Sequence, residues 1–316
     1  MAFFRLPGTA EKRYTRASIC TLPEEKTGSD MLQQSGKSIV LGRQREWAQG
    51  HAKSIDSRGY LDSIEANLLQ PLSAVALAGF KRGSGSELAD TALRPAKMKA
   101  LHSSAALAVN VFDYWSMRDP APLGTALGLA RLGRQDPIRA MAFERQYPTG
   151  LGGNPPNLDI ALHLESGFTI GVESKFTEWM TPKSTGEDVF RPAYFPEANP
   201  VWRSRCLPRC QQLAEAIQAG KERFQWLDAP QLLKHALGLA TALPGQFSLQ
   251  YLYFDSQGKE GAAHRDEIGR FSAMVADEIR FDSRTYQTLF GAMANNSCEQ
   301  DRDYIAYLRD RYFLSR

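Results

Sequence analysis

Cysteine and histidine are scarce in this chain of 316 residues, at 4 and 5 copies. Cys20, Cys206, Cys210 and Cys298 are scattered apart from one pair, and no histidine stands near that pair at a zinc-finger spacing. Free thiols are therefore expected, and a structural zinc is not. His51, His102, His163, His235 and His264 form no metal-ligand spacing either, and no serine or cysteine nucleophile motif is present. Long apolar runs are missing too: none approaches the roughly 18 residues that a membrane span needs. The opening stretch, MAFFRLPGTAEKRYTR, carries too short an apolar segment for a secretory signal. A cytoplasmic protein with no membrane partner is expected. An excess of one charge is also lacking, since 38 Lys and Arg against 35 Asp and Glu leave a net charge of only +3, compatible with a polyanionic partner without demanding one. No internal repeat is visible.

What is present points to a folded α/β protein. At 43% hydrophobic and 23% charged residues the chain has the composition of a globular protein, and its length is ample for a core. Residues 1–95 read as an N-terminal extension, partly helical over 43–57 and 59–78. Residues 95–115 carry apolar side chains at helical intervals behind Pro95, which predicts a mostly buried helix. Three strand-like runs follow at 140–146, 157–165 and 168–177, the last two alternating polar with apolar residues, so the centre reads as a β-meander. After an irregular stretch at 182–201, helices are predicted over 208–224 and 230–242, and a fourth strand over 247–254, FSLQYLYF. Residues 265–280, 283–293 and 301–312 show helical spacing. The expected organisation is a core over 96–260, a mixed sheet flanked by helices, followed by a helical C-terminal cap over 261–316.

Two carboxylates and a lysine interrupt the apolar central strands: Asp159 opens one, and Glu173-Ser174-Lys175 lies in the next. Period-2 alternation puts Glu173 and Lys175 on one face and Ser174 on the other. The face that Asp159 takes depends on the hairpin. A two-residue loop, Ser166-Gly167, sets Asp159 opposite Ser174, whereas a three-residue loop from Glu165 sets it opposite Glu173. Gly167 stands where the three-residue loop needs a left-handed residue. Two facing carboxylates repel unless a cation lies between them, and hard divalent cations take oxygen ligands. Such an ion polarises a phosphoryl oxygen, and a neighbouring lysine positions water or neutralises developing charge, which is phosphodiester hydrolysis chemistry.

The pattern D-x(13)-E-x-K across a hairpin, after a helix and a strand and before a helix and a strand, resembles the PD-(D/E)XK nuclease superfamily. SSAALAVNVF at 103–112 and ESKFTE at 173–178 are similar to a family of bacterial restriction-endonuclease-like proteins. The resemblance covers about residues 98–255. It implies a restriction-endonuclease-like core in which Asp159, Glu173 and Lys175 are catalytic. Asp159, Glu173 and the Ser174 carbonyl would ligate Mg²⁺, with Mn²⁺ able to substitute, and the substrate would be a nucleic acid, DNA by preference. Leu158 replaces the proline that often precedes the aspartate, and no glutamate occurs on the first helix between 97 and 115. Glu144 on the first strand is the best replacement ligand, and Asp113 a weaker one. The alternative is a catalytically inactive member of the fold that binds nucleic acid or protein.

Other features weigh less. Asp159, Glu173 and Lys175 have a bland reading as an ion-pair lattice on an exposed sheet face. SGKS at 35–38 resembles the end of a phosphate loop, but Met31 replaces the first glycine and no strand precedes it. GSGS at 83–86 reads as a linker, and Asn110 as a satisfied core amide. Arg203, Arg205 and Arg209, in VWRSRCLPRC with Trp202 and no acid, are candidates for phosphate contacts.

Overall fold

The computed structural model of the chain describes residues 35–83, 85–129, 136–183, 189–196 and 201–313. The first part of the expected extension, with Cys20, lies outside them. In chain order the main helices are α1 Gly36–Gly50, α2 Ala74–Arg82, α3 Ser104–Phe112, α4 Ala121–Ala126, α5 Pro208–Gln218, α6 Ala229–Ala242, α7 Lys259–Val275, α8 Tyr286–Asn296 and α9 Arg302–Leu308. The strands are β1 Ile138–Gln146, β2 Asn157–Leu164, β3 Thr169–Lys175, β4 Phe247–Tyr253 and β5 Phe281–Thr285. They form one sheet in the order β1-β2-β3-β4-β5. β1, β2 and β3 are antiparallel, and β4 and β5 join β3 in parallel.

The parallel pairs need crossovers, and these carry helices onto the faces of the sheet. α6 lies over the face that bears Glu173 and Lys175, and its spacing matches the strand beneath it. Gln231 meets Lys175 and His235 meets Glu173, while a Cβ added at Gly171 would lie 3.0 Å from Leu239. Four helical residues rise about 6 Å, close to the rise of two strand residues, so each turn of α6 steps to the next side chain on that face of β3. α8 covers the opposite face, where Tyr286 meets Ser174, their hydroxyls 2.7 Å apart. One continuous apolar core runs from Val40 to Tyr312. α2 packs on β1 so closely that a Cβ at Gly79 would overlap the Phe143 carbonyl oxygen.

Three expectations change. The helix predicted over 95–115 starts at Ser104, because the Ser103 hydroxyl caps it by accepting from the Ala106 N–H at 3.1 Å. Lys97–Lys99 forms a separate 3-10 turn, and Ala100 pairs with Tyr60. The helix predicted over 59–78 is broken ahead of Pro71 into a 3-10 turn at Glu65–Asn67, with α2 beginning only after Ser73. The C-terminal segment is not wholly helical: residues 281–285, FDSRT, form the edge strand β5. Its charges hide the strand signal and also blunt the open edge.

Local hydrogen bonds account for several motifs. Ser35 caps α1, accepting from the Ser38 N–H at 3.2 Å, so SGKS is a helix start and not a phosphate loop. Asn110 is a satisfied core amide, accepting from the Leu69 N–H at 2.8 Å and donating to the Asn67 carbonyl at 3.1 Å and the Tyr312 hydroxyl at 2.9 Å. Asp113 accepts from the Ser73 N–H at 2.8 Å and the Ser73 hydroxyl at 2.5 Å, which ties α2 to α3.

Candidate active site

The hairpin between β2 and β3 sets the site. Leu164 and Phe168 close it through a 2.8 Å bond from the Leu164 N–H to the Phe168 carbonyl, leaving the three-residue loop Glu165-Ser166-Gly167, and Gly167 has φ +86°. The register pairs Ile160 with Val172 and Ala161 with Gly171, so Asp159 falls opposite Glu173. Across β1 the register pairs Phe143 with Ile160 and Arg145 with Leu158, which sets Glu144 opposite Asp159. Three carboxyl groups thus form a row across three strands. Tyr251 of β4 continues it beside Glu173.

The row is buried. Glu173 is 1% exposed, which rules out the exposed lattice of ion pairs. Its Oε1 lies 2.6 Å from Lys175 Nζ and its Oε2 2.9 Å from His235 Nε2, although neither oxygen makes a well-directed hydrogen bond. Lys175 donates to Gln231 Oε1 at 3.1 Å. Asp159 accepts from the Ser174 N–H at 2.7 Å, and Glu144 from Asn157 Nδ2 at 2.7 Å.

These surroundings pull the acids apart. Burial alone would raise Glu173, but the Lys175 ammonium, with the His235 ring beside the other oxygen, outweighs it and holds this carboxyl below the ordinary range. Asp159 is pushed well above that range, by burial first and then by the charge of Glu173. Glu144 is pushed up to about 7 by burial and by the nearby charge of Glu87. Burial would neutralise Lys175, yet Glu173, Asp159 and Glu178 together keep it firmly an ammonium. The row therefore holds more acid than its cations balance.

Hard oxygen donors in excess of local positive charge suit a divalent cation such as Mg²⁺. The buried Glu173 oxygens, without directed hydrogen bonds, agree with that fit. Among the described residues no three acidic, histidine or cysteine side chains form a ready-made metal cage, so the donor set rests on the facing carboxylates and the backbone beside them.

Of the residues singled out from the sequence, the structure brings together Asp159, Glu173, Ser174, Lys175 and Glu144. It does not bring Arg203, Arg205 and Arg209 to them. Arg205 donates to Thr241 Oγ1 at 3.2 Å near the far end of α6, roughly 15 Å along the helix from Gln231. Arg209 is paired with Asp277, and its N–H bonds Glu278, just ahead of β5. Glu178, exposed beyond the motif, accepts from the Phe176 N–H at 2.9 Å.

Sequence reasoning missed Gln231, His235 and Glu87. For the first two a signal existed, because they are polar residues four apart, with Lys234 between them, in the largely apolar run QLLKHALGLA. Glu87, which pairs with Lys97 at 3.2 Å, follows a stretch read as a linker and had none.

Residues 43–313 match the family model REase-ARP, described as "Restriction Endonuclease associating with ARP". No curated protein and no solved structure matches the chain. The five-stranded mixed sheet with flanking helices agrees with a restriction-endonuclease-like fold. Because the match runs over most of the chain, this protein belongs to the family of restriction endonucleases associating with ARP.

Proposed function

We propose that the protein is a metal-dependent nuclease that hydrolyses phosphodiester bonds, in DNA by preference, at the site built on β2 and β3. The observation that carries this reading is Asp159 opposite a fully buried Glu173, with Lys175 Nζ 2.6 Å from that glutamate. Asp159, Glu173 and the Ser174 carbonyl would hold Mg²⁺ or Mn²⁺, and Glu144 is the further donor on the row. When bound, the cation supplies Lewis-acid polarisation of the phosphoryl group.

The protein's own groups do the rest. Lys175, 2.6 Å from Glu173, serves as a positive charge for the developing phosphoryl charge or orients the attacking water. Gln231 holds Nζ in place, and His235 lies beside the other Glu173 oxygen, so α6 orients both ends of the ion pair. The family name agrees with a nucleic-acid substrate.

The test is single-turnover cleavage of plasmid DNA across a Mg²⁺ titration, with DNA binding followed separately in Ca²⁺. Lys175→Ala is expected to slow cleavage by about 10² to 10³, with much smaller effects on DNA and metal binding. Asp159→Ala is expected to raise the Mg²⁺ concentration needed. Cleavage by Lys175→Ala at the wild-type rate overturns the role of the lysine. If the wild type cuts no DNA or RNA with Mg²⁺ or Mn²⁺, the fold serves here as a binding module.

A further inference from the structure

The elements that build the acidic row also border a cleft of opposite character. It measures about 340 Å³, at the small end of the roughly 300–1,000 Å³ of small-molecule sites. The glycine-rich loop ahead of β2, the segment after β3 and helix α6 form its walls, with Gly153, Arg191, Tyr194 and Lys234 among the residues that line it. Its position is fixed by the catalytic elements. Pro156, on its wall, is three residues before Asp159, and Lys234 lies on α6 between Gln231 and His235, which hold Lys175 and Glu173.

Two cations line it, and among the described residues neither is at ion-pair distance from a carboxylate. Lys234 is half-buried and gives one donor to the Val189 carbonyl at 2.9 Å, and its ammonium lies 5.0 Å from the centre of the Phe190 ring and 5.8 Å from that of Tyr194. An ammonium has three donors, and no carboxylate among the described residues is at ion-pair distance to take the others. Asp228, the nearest acid by charge, is engaged with Lys183 at 3.0 Å and caps α6. Arg191 is exposed, and one of its guanidinium nitrogens lies against the loop at Gly153, 2.9 Å from where a Cβ would stand. Burial first, and then the charge of Arg191, lower the Lys234 pKa against the pull of Asp228. Like charges that face one cleft suit an anion shared between them.

We infer that Arg191 and Lys234 form a phosphate subsite that grips the nucleic-acid backbone next to the phosphodiester held at the acidic row. The subsite rests on the nuclease reading for the identity of its ligand. Its division of labour follows from charge: the acidic row needs a metal ion to receive a phosphate, whereas this cleft receives one directly. Tyr194 supplies an aromatic wall beside the sugar or base of that nucleotide.

The experiment measures the affinity of the full chain for a fluorescent DNA duplex in Ca²⁺ from low to physiological salt. It compares wild type, Arg191→Ala, Arg191→Ala with Lys234→Met, and Lys234→Arg. The double variant is expected to lower the slope of log K against log salt by about 1.8, two contacts at about 0.9 each. It should bind at least tenfold more weakly at physiological salt. Arg191→Ala, a change at an exposed side chain, should remove about half of that slope, and Lys234→Arg should keep it. Alanine at both Arg302 and Arg309, exposed on and just after α9, is the reference for losing two exposed charges elsewhere. A double-variant effect no larger than that reference overturns the subsite even if the wild type cuts DNA. A wild type that binds with the expected slopes but never cuts overturns the nuclease reading and leaves the subsite standing, whereas a wild type that binds no duplex overturns the subsite.

Discussion

At the scale of single residues, burial also sets the protonation of groups that are not among the carboxyls of the acidic row. His264 is fully buried, stacked on Trp179 with ring centroids 4.0 Å apart, its Nε2 3.0 Å from the Tyr251 hydroxyl and its Nδ1 unpartnered. Burial pushes its pKa down to about 3. An unfolded histidine titrates near 6.5, so between these values the unfolded chain binds a proton that the folded chain refuses. Stability from this group is complete above about pH 6.5 and falls as the pH drops towards 3, by up to about 1.4 kcal/mol per pH unit. Urea denaturation at pH 7, 6, 5 and 4 checks this. His264→Phe, which keeps the stacking, is expected to flatten the acid limb relative to wild type, and parallel limbs for the two proteins would refute the assignment.

At the scale of elements, the β2-β3 hairpin decides which face Asp159 takes, and its loop rests on one residue. Gly167 has φ +86°, and a Cβ there would touch nothing within 4 Å, so a substitution acts through backbone conformation alone. Gly167→Ala is expected to destabilise the protein by about 1 to 2 kcal/mol. It also favours a two-residue loop, which would turn the Asp159 carboxylate away from Glu173. Urea melts read the first effect, and the Mg²⁺ dependence of cleavage reads the second. Unchanged melts would mean that the turn tolerates a side chain in that conformation. Helix α6 is the second deciding element: it carries Gln231 and His235 to the acidic row and Lys234 to the cleft.

At the scale of the molecule, a buried cation ties α1 and the segment after it to the C-terminal end. Arg311, 2% exposed, donates to the Asn67 carbonyl and the Tyr307 hydroxyl, each at 2.6 Å, and to the Asn67 side-chain oxygen. Gln44 of α1 donates to the Arg311 carbonyl at 2.9 Å. The guanidinium lies 4.3 Å from the centre of the Trp47 ring, and among the described residues no carboxylate pairs with it. Its charge is met by carbonyl dipoles and ring faces, and its removal leaves several buried acceptors unmatched. Arg311→Ala is expected to cost on the order of 3 kcal/mol. Chemical denaturation measures this, and a loss below about 1 kcal/mol would make the residue incidental to the junction.

The parts of this protein legible from sequence alone are those governed by local period and turn chemistry. The alternation in β2 and β3 put Glu173 and Lys175 on one face, and the glycine at 167 favoured the three-residue loop that sets Asp159 against Glu173. β5 was hidden because a short, charged edge strand lacks alternation, and the late start of α3 because the bridge between Tyr60 and Ala100 overrides helical spacing. Only the tertiary structure decided which distant groups surround the row. His235 and Gln231 are 62 and 56 residues from their partners Glu173 and Lys175, and Glu87 comes from an entirely different segment. A side chain's local pattern shows the face it takes, but its neighbours across a crossover depend on how the helix docks on the sheet. That docking is settled by packing of the whole core, which is also why Arg205 came to rest near the far end of α6 and Arg209 against Asp277, while Arg191 and Lys234 came to rest on one cleft.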